Sequence, residues 1–188
     1  MKSFSWACEK NYNEAGIYGI PQVTYRAWYR RHINATIFRI DRLEFEIIGS
    51  LYDFVLDGHQ IHKGDTCMYV HIPGGTPLDF EECENAYHTA RNFFKEHFGF
   101  EPVIFYCGSW LLHPWLAEDL PAESRIVKFQ KQFRLADIVQ DETVIRNWLF
   151  DHSDAPFDDL PVKTSLHKAA VHRLKNGLSI GYARGYRF

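Results

Sequence analysis

Residues 68–112 read MYVHIPGGTPLDFEECENAYHTARNFFKEHFGFEPVIFYCGSWLL. An apolar run, 68–72, breaks at Pro73-Gly74-Gly75-Thr76-Pro77, and a strongly periodic segment follows over 79–98. Phe80, Cys83, Ala86, Tyr87, Ala90, Phe93, Phe94, His97 and Phe98 recur at helical spacing and trace one continuous stripe. Asp79 with Glu82 makes an N-terminal box, and Gly99 fits the position just past the helix end. A second apolar run, 103–107, ends in Gly108-Ser109-Trp110. The order predicted is strand, glycine loop, long amphipathic helix, strand. A glycine loop in that place can carry a ligand on its backbone N–H groups.

The other elements are placed around this unit. Phe4, Ala7, Cys8, Tyr12 and Ala15 suit one amphipathic helix over 3–15. That helix begins almost at Met1 without a lead-in, which reads as a truncated start. Tyr25, Trp28, Tyr29, Ile33, Ile37 and Phe38 predict a second helix over 25–38. Leu43, Phe45 and Ile47 then alternate with Glu44 and Glu46, the period of a half-exposed strand with the glutamates facing solvent. Strands over 52–56 and 67–72, joined by a polar connection over 57–65, complete an antiparallel meander.

Downstream of 103–107, Ser109 is placed to cap a short helix that Pro114 opens and Pro121 closes. Residues 124–139 carry helical turns first and a strand in their second half. Asp141 caps a helix over 142–150, an Asp- and Pro-rich loop spans 151–161, Thr164 caps a further helix ended by Gly177, and a strand over 178–186 follows. A mixed sheet covered by helices, of the α+β class, accommodates this order. Residues 1–34 read as a helical lead-in and 35–188 as the domain proper.

The 188 residues are 46% hydrophobic and 16% aromatic, enough for one core built largely from Phe, Tyr and Trp. The net charge is −3 and no basic block exceeds Arg30-Arg31, which argues against a nucleic-acid footprint. The longest apolar-rich stretch, 103–112, is about half a membrane span. None of the four cysteines forms a CxxC pair, and Cys67, Cys83 and Cys107 sit in apolar patterns where a reduced thiol is the common case. With no leader-like start, the expectation is a cytoplasmic protein. His59 and His62 lack a second ligand pair, so no metal is expected.

Several pieces, in order, resemble the C-terminal domain of a bacterial GNAT-like acyltransferase family. They are IPGGTPL ahead of the long helix, CGSWLL after it, FRIDRLEFE at 38–46, SRIVKFQ at 124–130, the stretch from Leu160-Pro161 to Leu166-His167, and the glycine-bearing end from Gly177 to Gly185. The resemblance spans roughly residues 25–188. It implies a GNAT-like fold, acyl-CoA or CoA as co-substrate, and transfer of the acyl group to a small-molecule acceptor, an amine. A helical N-terminal domain precedes this one in the family. Here it is absent or reduced to 1–34, so a helical partner domain or a homodimer stands as the expected partner.

The resemblance assigns Ile72, Gly74, Gly75 and Thr76 to the cofactor pyrophosphate, although the loop departs from the acetyltransferase pattern (Arg/Gln)-x-x-Gly-x-(Gly/Ala). Pro73 and Pro77 offer no N–H, and Asp79, Glu81 and Glu82 crowd the first helical turn, where they repel an anion. The alternative is an ordinary turn before a self-capped helix. By position, His71 at the strand end is the candidate base, with Glu44 and Glu46 as alternatives. Cys107 and Ser109 are further catalytic candidates: a thiolate nucleophile would need His71 or His113 nearby, and a buried structural thiol is the competing reading. Trp110 and His113 complete a pocket with Glu44 and Glu46, in a cleft expected between the strands that end at His71 and Cys107. The rival to an enzyme is a catalytically silent GNAT-like scaffold.

Overall fold

The computed structural model describes residues 8–9, 11–13, 16–19, 23–50, 53–56, 58–151 and 153–188. The helix expected over 3–15 lies largely outside them, as does the start of the strand expected over 52–56. The chain mixes helices with a mostly antiparallel sheet and divides into two compact units. One runs up to Pro77 and resumes over Glu81–Pro102. The other holds Leu78–Phe80 and Val103–Phe188.

In the first unit residues 8–9 and 11–13 are helical, and α1 (Val23–Ile33), β1 (Ile37–Ile40) and β2 (Leu43–Gly49) follow. Ile37 and Phe38, which the periodicity places in a helix, belong to β1. The helix ends earlier because Ala35 takes a left-handed conformation (φ 53°) and Asn34, Ala35 and Thr36 close the turn with backbone bonds to Arg30, His32 and Arg31. Next come β3 (Phe54–Leu56), β4 (His59–Ile61) and β5 (Thr66–His71). The meander differs from expectation. The segment read as a polar connection supplies β4, which pairs with β3 in a separate hairpin, while β2 pairs directly with β5 and with β1.

The register sorts β2 into two faces. Phe38, Phe45 and Val70 lie in one cross-strand row and face α2 (Phe80–Phe98). Tyr87 meets Phe45 at 5.9 Å between ring centroids, and Phe38 touches Phe93, Phe94 and Phe98 at 5.2–5.5 Å. Phe45, Cys83, Ala86, Ala90 and Phe94 are all fully enclosed. This is the stripe read from the sequence, and Gly99 ends the helix with φ 72°.

The second unit opens with β6 (Phe105–Ser109), a 3₁₀ turn (Trp110–Leu112) and α3 (Trp115–Asp119). α4 (Arg125–Gln130), β7 (Arg134–Gln140), α5 (Glu142–Leu149), α6 (Ser165–Lys175) and β8 (Gly181–Arg187) follow. β8 lies between β6 and β7, antiparallel to both. Asp141 and Thr164 cap their helices as the sequence predicts, Ser109 caps the 3₁₀ turn rather than α3, and Ser124 caps α4; each accepts a backbone N–H of the helical turn that follows. The helices share a core of Trp115, Leu116, Ile145, Phe150, Ala170, Leu174 and Ile180. Arg173, buried beneath them, is satisfied by Asp119, Glu118 and the carbonyl of Ser179. Gly181 is fixed by crowding, since a Cβ there would lie 2.0 Å from the carbonyl oxygen of Val139.

Phe94 sits at the centre of the first unit's aromatic cluster with no exposed surface. Phe94→Ala is expected to cost about 3–5 kcal/mol, read as a lowered denaturation midpoint at unchanged m-value.

Candidate functional site

The face of β2 opposite Phe45 carries Glu44 and Glu46, and antiparallel pairing sets Glu44 across from His71 and Glu46 across from Tyr69. The half-exposed strand expected there is not what forms. Glu44 has 2% of its side chain exposed and Glu46 15%. The reason is α1, whose Trp28, Arg31 and His32 fall at i, i+3 and i+4 and reach the same face. A buried carboxylate is tolerated only with charge or hydrogen-bond partners, and these residues provide them.

His71 Nε2 stands 2.9 Å from Glu46 Oε2, and Arg31 Nη1 donates to the same oxygen at 3.1 Å. His32 Nε2 and Arg39 Nη1 lie 3.7 and 3.8 Å from the oxygens of Glu44. The His71 ring is held edge-on by Trp28, with centroids 4.6 Å apart, and is flanked by Tyr69 at 4.5 Å. Burial opposes ionisation of Glu46. The hydrogen bond from His71, with the charges of His71, Arg31 and His32, outweighs it and holds the carboxyl below its ordinary value. Burial depresses the pKa of His32 against the pull of Glu44, and His71 and Arg39 add to the depression.

An ionised carboxylate only accepts, so Nε2 of His71 donates to Glu46 and the neutral imidazole keeps Nδ1 as its acceptor. That geometry suits a base with a fixed tautomer. Sequence reasoning found His71, Glu44 and Glu46 but not Trp28, Arg31 and His32. Trp28 enters the apolar pattern of that helix, while Arg31 and His32, at i+3 and i+4 from it, carry no local sign that they face a sheet.

The glycine loop leaves β5 directly after His71. Gly75 has φ 86°, and residues 74–77 are exposed. Arg42, 5% exposed, reaches under the loop and donates to the carbonyls of Pro77, Pro73 and Thr76 at 2.7, 2.9 and 2.9 Å. In a planar trans peptide the carbonyl and the following N–H point oppositely, so turning the Pro73 carbonyl inward turns the Gly74 N–H outward. Arg42 lies within the FRIDRLEFE stretch but carried no role in the sequence reading.

The remaining candidates belong to the second unit. Cys107 is 1% exposed, and burial pushes its thiol far above the ordinary range, so it stays protonated. Ser109 Oγ accepts the Leu111 N–H at 3.1 Å. Trp110 packs against the helical core. His113 is 1% exposed, accepts the Trp115 N–H on Nδ1 at 3.3 Å, and has its pKa lowered first by burial and then by Arg173. Thus His71, Glu44 and Glu46 come together with the glycine loop in one unit, while Cys107, Ser109, Trp110 and His113 follow one another along β6 and the turn after it. Among the described residues no set of His, Cys, Asp and Glu is arranged to hold a metal, and no helix is long and apolar enough to cross a membrane.

Residues 37–187 match the family model of the GNAT-like C-terminal domain. No curated protein matches the chain. Solved acyltransferase structures share its fold. One in complex with decanoyl-CoA and teicoplanin gives a TM-score of 0.78 at 24% identity, over 97% of this chain and 55% of that one. A mutant acyltransferase in complex with octanoyl-CoA gives 0.79 at 24% over the same shares, and one in complex with decanoyl-CoA gives 0.77 at 24%, over 100% and 58%. The chain therefore spans a little over half the length of these proteins.

Because Glu46 has a lowered pKa when folded, its contribution to stability is fully present above the unfolded value near 4.5 and is lost as pH falls through the folded value. Glu46→Gln is expected to cost about 2 kcal/mol at neutral pH. The gap between the two proteins' denaturation midpoints should stay constant down to about pH 5 and close below it.

Proposed function

Since the chain belongs to the GNAT-like C-terminal domain family, we propose that it serves acyl transfer from acyl-CoA to an amine acceptor, with His71 as the base. The observation that carries this reading is the 2.9 Å contact between His71 Nε2 and Glu46 Oε2, which leaves Nδ1 as the acceptor of a residue that directly precedes the glycine loop. The solved acyltransferases of the same fold are complexes with CoA or acyl-CoA, and two also hold a glycopeptide, teicoplanin in one and 10C-teicoplanin in the other, which supports a small-molecule acceptor.

The amine arrives protonated, and attack requires loss of that proton. His71 Nδ1 takes it, and Glu46 stabilises the imidazolium that forms. Acyl-CoA supplies an activated thioester, so no protein nucleophile is required. The buried, protonated Cys107 accords with direct transfer and with a packing role for that thiol. Ile72, Gly74, Gly75 and Thr76 hold the pyrophosphate, chiefly through the outward Gly74 N–H. Glu44 completes the charged layer beneath α1 and acts through His32 and Arg39 rather than on the substrate.

A second reading, a silent GNAT-like scaffold, draws on Glu81 and Glu82 in the first turn of α2, which disfavour an anion nearby. The two part in a thermal-shift titration with CoA, acetyl-CoA and a medium-chain acyl-CoA. Donor at one hundred times its Kd should stabilise the protein by about 2.7 kcal/mol. No shift at millimolar donor favours the scaffold. In the enzyme, His71→Ala should lower kcat by about 10²–10⁴-fold with the donor-induced shift retained.

A further inference from the structure

The acidic start of α2 raises a problem that Arg42 resolves. Two carboxylates, Glu81 and Glu82, stand in the first turn of the helix behind the glycine loop, where they weaken its attraction for a phosphate. Arg42 is buried directly against that loop, yet its guanidinium donates to three backbone carbonyls, those of Pro73, Thr76 and Pro77, and among the described residues it forms no ion pair with a carboxylate. A carboxylate partner would cancel its charge locally. Carbonyl partners leave the positive charge without a carboxylate in direct contact, and Glu82 and Glu44 act on it only through space. The same contacts orient the loop, because the Pro73 carbonyl can point inward only if the Gly74 N–H points outward.

We propose that Arg42 is the positioning residue that makes this loop a diphosphate site: it sets the Gly74 N–H toward the ligand and supplies, from beneath, the positive charge that offsets Glu81 and Glu82. This rests on the reading of the loop as the CoA pyrophosphate site, and it concerns how the loop attracts the diphosphate. The group recognised is the diphosphate alone. The acyl chain and the pantetheine arm do not depend on Arg42.

The test compares CoA with pantetheine, which lacks the diphosphate, by calorimetric titration of wild type, Arg42→Gln and Arg42→Lys. Gln keeps donors for the carbonyls and drops the charge, whereas Lys keeps the charge. Gln is expected to weaken CoA at least tenfold and Lys by less than threefold, with pantetheine unchanged in both. Equal CoA affinity in all three proteins overturns the role of Arg42. So does parallel loss of CoA and pantetheine in both variants, which marks a purely structural residue. Failure of wild type to bind CoA at all overturns instead the reading of the loop. Should the Gln variant not fold, NMR of the wild type decides: inorganic pyrophosphate and CoA shift the Gly74 amide and the Arg42 Nε–H signals while pantetheine does not, and unmoved signals overturn the proposal.

Discussion

A carboxylate removed from water must find charge or donors nearby, and β2 buries two of them. The demand set by Glu44 and Glu46 accounts for much of the first unit. It explains why α1 carries Arg31 and His32 on the side that meets the sheet, why β1 presents Arg39, and why β5 ends in a histidine. The opposite face of the same strand obeys the ordinary rule of apolar packing, with Phe45 against Tyr87. One strand thus serves as the wall between a hydrophobic layer and an ionic one. The ionic layer adds little to net stability relative to an apolar substitute, and its value lies in fixing the orientation of its members.

The elements most legible in the sequence were those with local signals. α2 announces itself by its stripe, its acidic start and Gly99, and the caps Asp141 and Thr164 name their helices. What the sequence could not show was which partner each strand would choose. β4 was hidden in a polar segment because a two-stranded hairpin away from the main sheet needs no apolar alternation. The glutamates of β2 were read as solvent-facing because alternation distinguishes the two faces of a strand but not water from a charged layer. Arg42 was invisible for a related reason: nothing local tells a surface arginine from one that threads beneath a loop more than thirty residues away.

The site divides along the same line. His71, Glu44 and Glu46 were legible as residue types suited to proton transfer, and the structure assembles them. The Cys107-Gly108-Ser109-Trp110 run looked more distinctive as text, yet its members are engaged in packing and capping, with Cys107 sealed from solvent and Ser109 bound to the Leu111 N–H. Conspicuous spelling and chemical competence are separate properties. A fold shared with acyltransferases also leaves the acceptor open, since fold and chemistry are separable and the acceptor is chosen by side chains.

The oxygen Oε2 of Glu46 is shared between Arg31, on a helix, and His71, on a strand. Sharing one atom makes the two contacts mechanically inseparable. Both Arg31 and Trp28 ride on α1, so any displacement of that helix from the sheet would withdraw them together and leave the carboxylate with the histidine alone. The seating of the helix and the placement of the imidazole are therefore coupled, so whatever presses on the outer surface of α1 acts on the His71 ring beneath it without touching it.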